Sequence, residues 1–266
     1  MKSKVFFSSL ALIASCAVPA MAAVVTSINF SSPIVTSATQ APGTFYTDRY
    51  APNDFAVVGG ELLVTVSGAD SASNRPGAFS SAFYNTQGRK YDLDPRVTMI
   101  EADLFLDSAW ASSGQREAGL WGTAFNATND ISFYPIIEYA NGAFRGWNGV
   151  NGYIGLGSGN TGGFNTLGIE LDTALNQWNY LINHVVAGSV GAAGSVYLGN
   201  VIFQAHNNYS LNQQGTKQVR WDNFLASDGR GNNVPEPGTL ALASLSLIGL
   251  CFMNRRRQRI VAPVAF

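Results

Sequence analysis

The chain has 266 residues, of which 46% are hydrophobic and only 12% are charged, and its formal net charge is −1. The segment from Val24 to Asn233 contains ten basic and sixteen acidic residues, so its net charge is −6. An acidic segment without a basic stripe does not fit nucleic-acid binding or adsorption to anionic lipid surfaces. We therefore expect no nucleic-acid partner.

Residues 1–23 have the features of a secretory signal peptide. Lys2 and Lys4 form a basic start, and the segment from Val5 to Val18 is mostly apolar. Ala20-Met21-Ala22 supplies the small-x-small pattern that signal peptidase recognises. We expect cleavage directly after this pattern or one residue later, after Ala23.

The two cysteines, Cys16 and Cys251, both lie outside the segment from Val24 to Asn233. This exported segment therefore has no disulfide, thiolate metal site or cysteine nucleophile. It is long enough to be held together by an ordinary hydrophobic core. One alternative at the N-terminus stays open, because Ile13-Ala14-Ser15-Cys16 resembles a lipobox, in which Cys16 would be acylated.

The segment 24–230 is predicted to be one all-β domain. Short runs of alternating apolar and polar residues recur along it, and residues typical of turns separate them. No amphipathic helix longer than two turns is indicated, so we expect a two-sheet sandwich. The predicted strands are Leu62–Val66, Arg96–Asp107, Gly119–Phe125, Ile131–Tyr139, Phe144–Trp147, Leu167–Leu171, Trp178–Val186, Val196–Gln204 and Val219–Leu225.

Turn residues indicate two hairpins within this domain. Asn141-Gly142 stands between two predicted strands and favours a type I′ turn, which needs positive φ at both central residues. The strands Leu167–Leu171 and Trp178–Val186 are predicted to pair across the polar segment Asp172–Gln177. The next turn is then expected at Ala187-Gly188.

The second hairpin carries a resemblance to a known fold family. Asn165–Asp172, followed by Trp178–Asn183, is similar to the central hairpin of laminin-G-like and concanavalin A-like jelly rolls. The sequence departs from that pattern at His184, where the family usually has the turn glycine. Arg220–Phe224 is similar to the last strand of many exported domains that carry the sorting signal described below. The resemblance implies a jelly-roll-like sandwich.

Paired acids on one strand are candidate catalytic residues, because the resembled family includes glycoside hydrolases that use them. Glu101 and Asp103 would share one face of a strand, but the third position of that face is Phe105. Glu170 and Asp172 repeat the pair without a third acid. We therefore predict that the domain is not an enzyme. The alternative is an exported glycoside hydrolase or lyase of the same fold.

Neither histidine has the spacing of a metal or catalytic site, so we expect His184 and His206 to be surface residues near hairpin ends. The resemblance implies Ca²⁺ as the inorganic partner to consider. The best local candidate is the loop Asn126–Asp130, which offers one carboxylate. We assign no metal ligand and expect no cofactor.

Aromatic residues are the remaining candidates for ligand binding, because tryptophan and tyrosine rings stack on sugar C–H surfaces. They concentrate in the middle of the domain. Core packing between two sheets is the competing explanation for the same residues. The candidates for carbohydrate contact are Trp147, Tyr153, Trp178 and Tyr180.

The C-terminal region has three consecutive physical signals. In the linker 231–237, the prolines of Val234-Pro235-Glu236-Pro237 fix φ and hold the chain extended. Residues 238–253 form an apolar run of about 16 residues, which would be about 24 Å long as a helix. A typical membrane span has roughly 20 residues, so this run is slightly shorter. We predict a transmembrane helix here. Arg255, Arg256 and Arg257 should keep the tail 254–266 cytoplasmic.

This order of Pro-Glu-Pro, apolar helix and basic end resembles the PEP-CTERM sorting signal of Gram-negative bacteria that secrete exopolysaccharide. The resemblance implies that signal peptidase and an exosortase act on the chain during export. We expect an inner-membrane-anchored precursor that reaches the cell surface or the extracellular matrix. The expected role there is structural, or weak binding of exopolysaccharide.

Overall fold

The computed structural model describes residues 22–51, 54–108, 117–140, 142–150, 152–207 and 216–229. Helix in these ranges is limited to three short 3₁₀ turns, at Gly68–Asp70, Gly77–Phe79 and Ala82–Asn85. The strands of the same ranges, numbered in chain order, are β1 (Val24–Ile28), β2 (Thr36–Ser37), β3 (Phe45–Tyr46), β4 (Asp54–Val58), β5 (Glu61–Val66), β6 (Thr86–Asp92), β7 (Met99–Leu106), β8 (Glu117–Phe125), β9 (Ile131–Phe133), β10 (Ile136–Ala140), β11 (Ala143–Trp147), β12 (Tyr153–Ser158), β13 (Gly163–Asp172), β14 (Gln177–Ile182), β15 (Val185–Gly191), β16 (Tyr197–His206) and β17 (Lys217–Ser227).

These strands form two sheets. Sheet I has the order β15-β14-β13-β7-β17-β5-β4, with β1 paired to β17. Sheet II has the order β12-β11-β10-β8-β16-β6-β3-β2, with β9 paired to β8. The strand pairs are antiparallel except for the short β2–β3 pair. The predicted all-β, two-sheet sandwich is therefore confirmed.

The alternation predicted for Arg96–Asp107 shows how the sequence builds this core. Ile100, Ala102, Leu104 and Leu106 are fully buried on the inner face of β7. The two sheets meet through aromatic contacts, of which Phe203 on β16 is an example. Its ring lies 5.4 Å from the ring of Trp221 and 5.1 Å from that of Phe224, both on β17. These edge-to-face contacts add to the burial of apolar area that stabilises the sandwich.

Both predicted hairpins form. Strands β10 and β11 pair from Ala140↔Ala143 outward, and Gly142 has φ +89° as the type I′ turn requires. Strands β13 and β14 pair with Asp172 opposite Gln177. The predicted turn at Ala187-Gly188 is wrong.

The turn after β14 is instead made by Asn183 and His184, whose φ angles are +51° and +65°. Asparagine and histidine tolerate the left-handed region better than most residues, so His184 can take the place of the family's turn glycine and the two residues close the turn. A second predicted strand is divided. Ile131–Tyr139 is interrupted at Pro135, because proline has no N–H to donate to a sheet.

Several predicted segments fall outside the described residues. These are residues 1–21 of the signal peptide, the linker 231–237, the transmembrane helix 238–253 and the tail 254–266. In the part of the chain that the structure describes, no helix combines the length and apolar character needed to cross a membrane.

Candidate functional site

The outer face of sheet II carries a group of polar and aromatic side chains. On β8, Ala118 and Leu120 point into the core, so Glu117, Gly119 and Trp121 point outward. Because neighbouring strands are paired in register, the outward residues of adjacent strands line up in rows across the sheet. Three such rows cross the middle of this face.

We call these rows the aromatic row, the polar row and the acid row. The aromatic row consists of Tyr153, Trp147, Ile136, Trp121 and Ile202. The polar row, next to it, consists of Gly155, Arg145, Glu138, Gly119, Gln204 and Gly88. The acid row consists of Ala140, Glu117, His206 and Thr86.

Glu138 is the centre of the polar row. Its Oε1 accepts a hydrogen bond from Nε of Arg145 at 2.8 Å and forms an ion pair with Nη2 of the same guanidinium at 2.6 Å. Its Oε2 accepts one from Nε2 of Gln204 at 2.8 Å, and the Tyr153 hydroxyl is also bonded to this carboxylate. Glu138 is only 2% exposed, and a buried charge requires such partners. The carboxylate therefore holds three side chains in place.

Glu117 brings a second carboxylate to the same guanidinium group. Its Oε2 lies 3.4 Å from Nη2 of Arg145 and 3.0 Å from Nδ1 of His206, although the imidazole is not oriented for a hydrogen bond. Nε2 of His206 lies 2.8 Å from Oγ1 of Thr86. Because Nη2 is also 2.6 Å from Oε1 of Glu138, the two carboxylate oxygens are at most about 6 Å apart.

These contacts set the protonation of the row. Burial alone would lower the pKa of Arg145, but the carboxylates of Glu138 and Glu117 raise it above its usual value. Burial, and after it the charge of Glu138, raises the pKa of Tyr153. The site therefore presents a guanidinium cation and a neutral phenol to a ligand at neutral pH.

Two aromatic groups flank the polar row. The rings of Trp147 and Tyr153 are 5.2 Å apart, and the Arg145 guanidinium lies 4.0 Å above the Tyr153 ring, which is 38% exposed. Further along the aromatic row, the Arg49 guanidinium lies 3.9 Å above the ring of Trp121. Of these three rings only Tyr153 is exposed, whereas Trp147 packs partly against the core and Arg49 covers one face of Trp121.

Two of the four predicted carbohydrate contacts are excluded by burial. Trp178 and Tyr180 have no exposed surface, because the alternation of β14 points them into the core. The ring of Tyr180 occupies the space that Gly146 leaves by having no side chain, and its hydroxyl donates to the Trp147 carbonyl oxygen at 2.5 Å. Tyr180 thus supports the backbone of Trp147 and does not reach a ligand.

The sequence interpretation missed Glu117, Glu138 and Arg145. The apolar strand Ile136–Ala140 contains a single charged residue, and that was the available signal for Glu138. The acids considered from sequence, Glu101 and Asp103, lie on the outer face of sheet I. His206 was expected at the surface near a hairpin end, and the structure adds its contact with Glu117.

The loop considered for Ca²⁺ is organised by its own side chains. Oδ1 of Asn126 accepts hydrogen bonds from the backbone N–H groups of Thr128 and Asp130, both at 2.9 Å. Among the residues that the structure describes, no group of three His, Cys, Asp or Glu side chains is close enough to hold a metal ion.

Comparison with known families identifies the C-terminal signal. Residues 233–257 match the family of the PEP-CTERM protein-sorting motif. The chain thus carries the sorting signal predicted from its sequence, which implies export, membrane-associated sorting and processing by an exosortase. No curated protein matches the sequence.

Three solved structures illustrate the similarity of the fold. An endo-β-galactosidase from Clostridium perfringens, which releases GlcNAcα1-4Gal, has a TM-score of 0.53 at 13% identity, over 79% of this chain and 64% of that one. LamA from Z. galactanivorans, in complex with laminaritriose and laminaritetraose, has a TM-score of 0.52 at 11% identity, over 78% and 100%. The laminarinase catalytic domain from Thermotoga maritima has a TM-score of 0.50 at 12% identity, over 78% and 98%.

A longer protein, a sialidase, is also similar, and this chain covers 16% of its length at a TM-score of 0.46. The identities are so low that the likeness shows the fold alone. That fold is the concanavalin-like jelly roll of glycoside hydrolases, as the hairpin resemblance implied.

The prediction that the domain is not an enzyme requires correction. It rested on the interruption of one acid row by Phe105, but the fold is shared with laminarinase and LamA catalytic domains. The structure also brings Glu117 and Glu138 together on the other sheet, where the sequence argument did not look. The interrupted motif therefore does not decide whether the domain is catalytic.

Proposed function

We propose that the exported domain binds a polysaccharide chain on the outer face of sheet II. The observation that carries this proposal is the aromatic pair Trp147–Tyr153 standing directly beside the polar row. A sugar ring has apolar C–H faces and a rim of hydroxyl groups, so it is recognised by aromatic rings with polar groups next to them. The laminaritriose and laminaritetraose complex of a protein with the same fold supports this ligand class.

The rows indicate how a bound polysaccharide would lie relative to the strands. Trp147 on β11 and Trp121 on β8 are separated by β10 alone, so they stand about 10 Å apart at about 4.8 Å per strand. That distance accommodates roughly two sugar units. A ligand that follows the aromatic row would run across the strands, with its hydroxyl groups over Arg145 and Gln204.

The sorting signal supports an extracellular location for this activity. We propose that the apolar segment 238–253 anchors the precursor in the inner membrane until an exosortase acts, and that the product reaches the cell surface or matrix. Its ligand there would be the exopolysaccharide of the host. Single sites of this shallow kind bind in the millimolar range, about −4 kcal/mol, so repeated sugar units supply the avidity.

A specific observation favours a second candidate, glycoside hydrolysis at Glu117 and Glu138. Their carboxylate oxygens are at most about 6 Å apart, and retaining glycosidases use carboxyl groups about 5 to 5.5 Å apart. Glu117 is 9% exposed, whereas Glu138 is only 2% exposed. Glu117 is therefore the residue to test for an acid or base role.

Binding is tested with Trp147→Ala against the host exopolysaccharide and laminari-oligosaccharides, by calorimetry and affinity electrophoresis. We expect binding to weaken at least tenfold while the far-ultraviolet spectrum stays unchanged. The matched control is Leu175→Ala, which removes an exposed apolar side chain from the β13–β14 turn. Equal binding by both variants would contradict the proposal.

Catalysis is tested by reducing-end release from the same polysaccharides. Release that disappears in Glu117→Gln, while this variant still binds the polysaccharide, would replace the binding proposal by the hydrolase. Release that persists in Glu117→Gln would exclude this acid pair as its cause.

Sorting is tested in a host that has an exosortase. Replacement of Pro235-Glu236-Pro237 by alanines should leave the precursor uncleaved in the inner membrane. Immunoblots of the membrane and medium fractions measure this, and unchanged release into the medium would contradict it.

A further inference from the structure

A second polar cleft lies on the outer face of sheet I, on the other side of the core from the three rows of sheet II. It has a volume of about 270 Å³ and is open to solvent. Strands β1, β7, β13 and β17 contribute to it, together with the turn between β14 and β15. Its chemically active side chains are Glu101, Asp103, Thr166, His184 and Asn223.

Strand register builds this cleft from rows, as it does on sheet II. Asp103 stands opposite Thr166 on β13 and Asp222 on β17. Glu101 stands opposite Gly168, and its side chain lies against that glycine, where a Cβ would come within 3.2 Å of Cγ of Glu101.

On the other side of Asp103, Phe105 stands opposite Phe164, with the two rings 5.2 Å apart. Phe164 is 39% exposed. An apolar surface therefore lies beside Asp103, on the same face of the sheet and next to the residues that line the cleft.

The carboxylates are held by groups from three different elements. Thr166 donates to Oδ1 of Asp103 at 2.6 Å, and Asn223 donates to Oδ2 at 2.9 Å. Nδ1 of His184 lies 3.1 Å from Oε1 of Glu101, which is only 8% exposed. Each carboxylate oxygen has two acceptor sites, so Asp103 can accept further hydrogen bonds from a ligand while it keeps these partners.

We propose that this cleft binds a second sugar unit, and that the domain cross-links two polysaccharide chains. The cross-linking rests on the proposed function of sheet II, whereas the cleft itself does not. Ligand hydroxyl groups donate to Asp103 and Glu101, and the apolar face of the sugar ring packs on Phe164.

The charge of the cleft selects among sugars. Arg220 lies on the same face, but its Nε and Nη2 already bind the carboxylate of Glu61. Asp103 takes its two hydrogen bonds from neutral donors. A sugar with a free amino group therefore gains an ion pair here, and its N-acetylated form does not.

The cleft is tested by nuclear magnetic resonance titration with a glucosamine trimer and its N-acetylated counterpart. We expect the amino trimer to shift the side-chain signals of His184 and Asn223. The affinity obtained from these shifts should be at least fivefold weaker in Asp103→Asn. The control is Asp54→Asn, which neutralises an exposed acid on the edge strand β4. Equal weakening in both variants, or equal binding of the two trimers, would overturn the assignment.

Cross-linking is tested by turbidity and light scattering of a partly deacetylated polysaccharide mixed with wild type, Trp147→Ala and Asp103→Asn. We expect either single substitution to abolish cross-linking while one-chain binding remains. If only Trp147→Ala lowers binding, sheet II binds the polysaccharide and the second site fails. If only Asp103→Asn lowers it, the cleft stands and the proposed function of sheet II fails.

Discussion

The outer faces of the two sheets are built alike, but they differ in the charge of the groups that bind their carboxylates. Each face has aromatic residues in one row and acids in the rows beside it. On sheet II, Glu117 and Glu138 both contact Arg145. On sheet I, Asp103 is held by the neutral donors Thr166 and Asn223. Strand alternation creates both faces, so the residue opposite on the neighbouring strand decides the charge that a ligand meets.

The largest loss of stability should follow from adding a side chain at Gly119, a glycine of the polar row where two strands lie close together. A Cβ at Gly119 would lie 2.1 Å from the carbonyl oxygen of Ile137, which is backbone and cannot move aside. We expect Gly119→Ala to lower the free energy of unfolding by about 3 kcal/mol, as measured by urea denaturation. Gly155→Ala in the same row is the control, because no heavy atom lies within 4 Å of its Cβ position.

The equivalent change on sheet I sharpens the comparison. A Cβ at Gly168 would meet Cβ of Leu181 at 3.0 Å and the flexible Glu101 side chain at 3.2 Å. We expect Gly168→Ala to lower the free energy of unfolding by about 1 kcal/mol. A loss as large as that of Gly119→Ala would show that the two faces are packed with equal tightness.

Removal of one acid from each face compares their electrostatics. Glu138→Ala leaves Arg145 and Gln204 without their shared acceptor, and we expect a loss of about 2 kcal/mol, since Arg145 is partly hydrated. Glu101→Ala should cost under about 1 kcal/mol, because its partner His184 is largely exposed to solvent. A double-mutant cycle of Glu138 and Arg145 measures the coupling, and a coupling near zero would contradict this account.

The smallest expected effect on stability occurs at alkaline pH, where Tyr153 loses its proton. The folded protein raises the pKa of Tyr153 above that of the unfolded chain. The stability gained from this raised pKa is fully present below about pH 10, the ordinary tyrosine value, and is lost as the pH rises through the folded-state pKa. Unfolding measured between neutral and strongly alkaline pH should therefore show a shallower decline in Tyr153→Phe. Identical declines would exclude a contribution from this phenol.

Much of the architecture could be predicted from local pattern. The alternation of Arg96–Asp107 gave the inner and outer faces of β7, and Asn141-Gly142 marked the β10–β11 hairpin. The errors came from backbone chemistry that the pattern does not contain. Pro135 divided a predicted strand, and Asn183 with His184 formed a turn that was expected at glycine.

The sites were harder to predict, because their residues are distant in sequence. Glu117, Glu138 and His206 meet only through the pairing of β8 with β10 and β16. Trp178 and Tyr180 looked like ligand contacts because composition does not tell on which side of a strand an aromatic residue lies. In the structure both lie in the core, Trp147 is half-buried against that core, and Tyr153 is exposed.

The sequence by itself determined the sorting signal and the all-β class of the domain. A sorting motif is read as a linear order of residues, and alternation is a property of neighbours in the chain. Only the tertiary structure decided which acids share a guanidinium group and which aromatic rings reach solvent. Those properties depend on strand register and sheet packing, which join residues far apart in the chain and which no local pattern encodes.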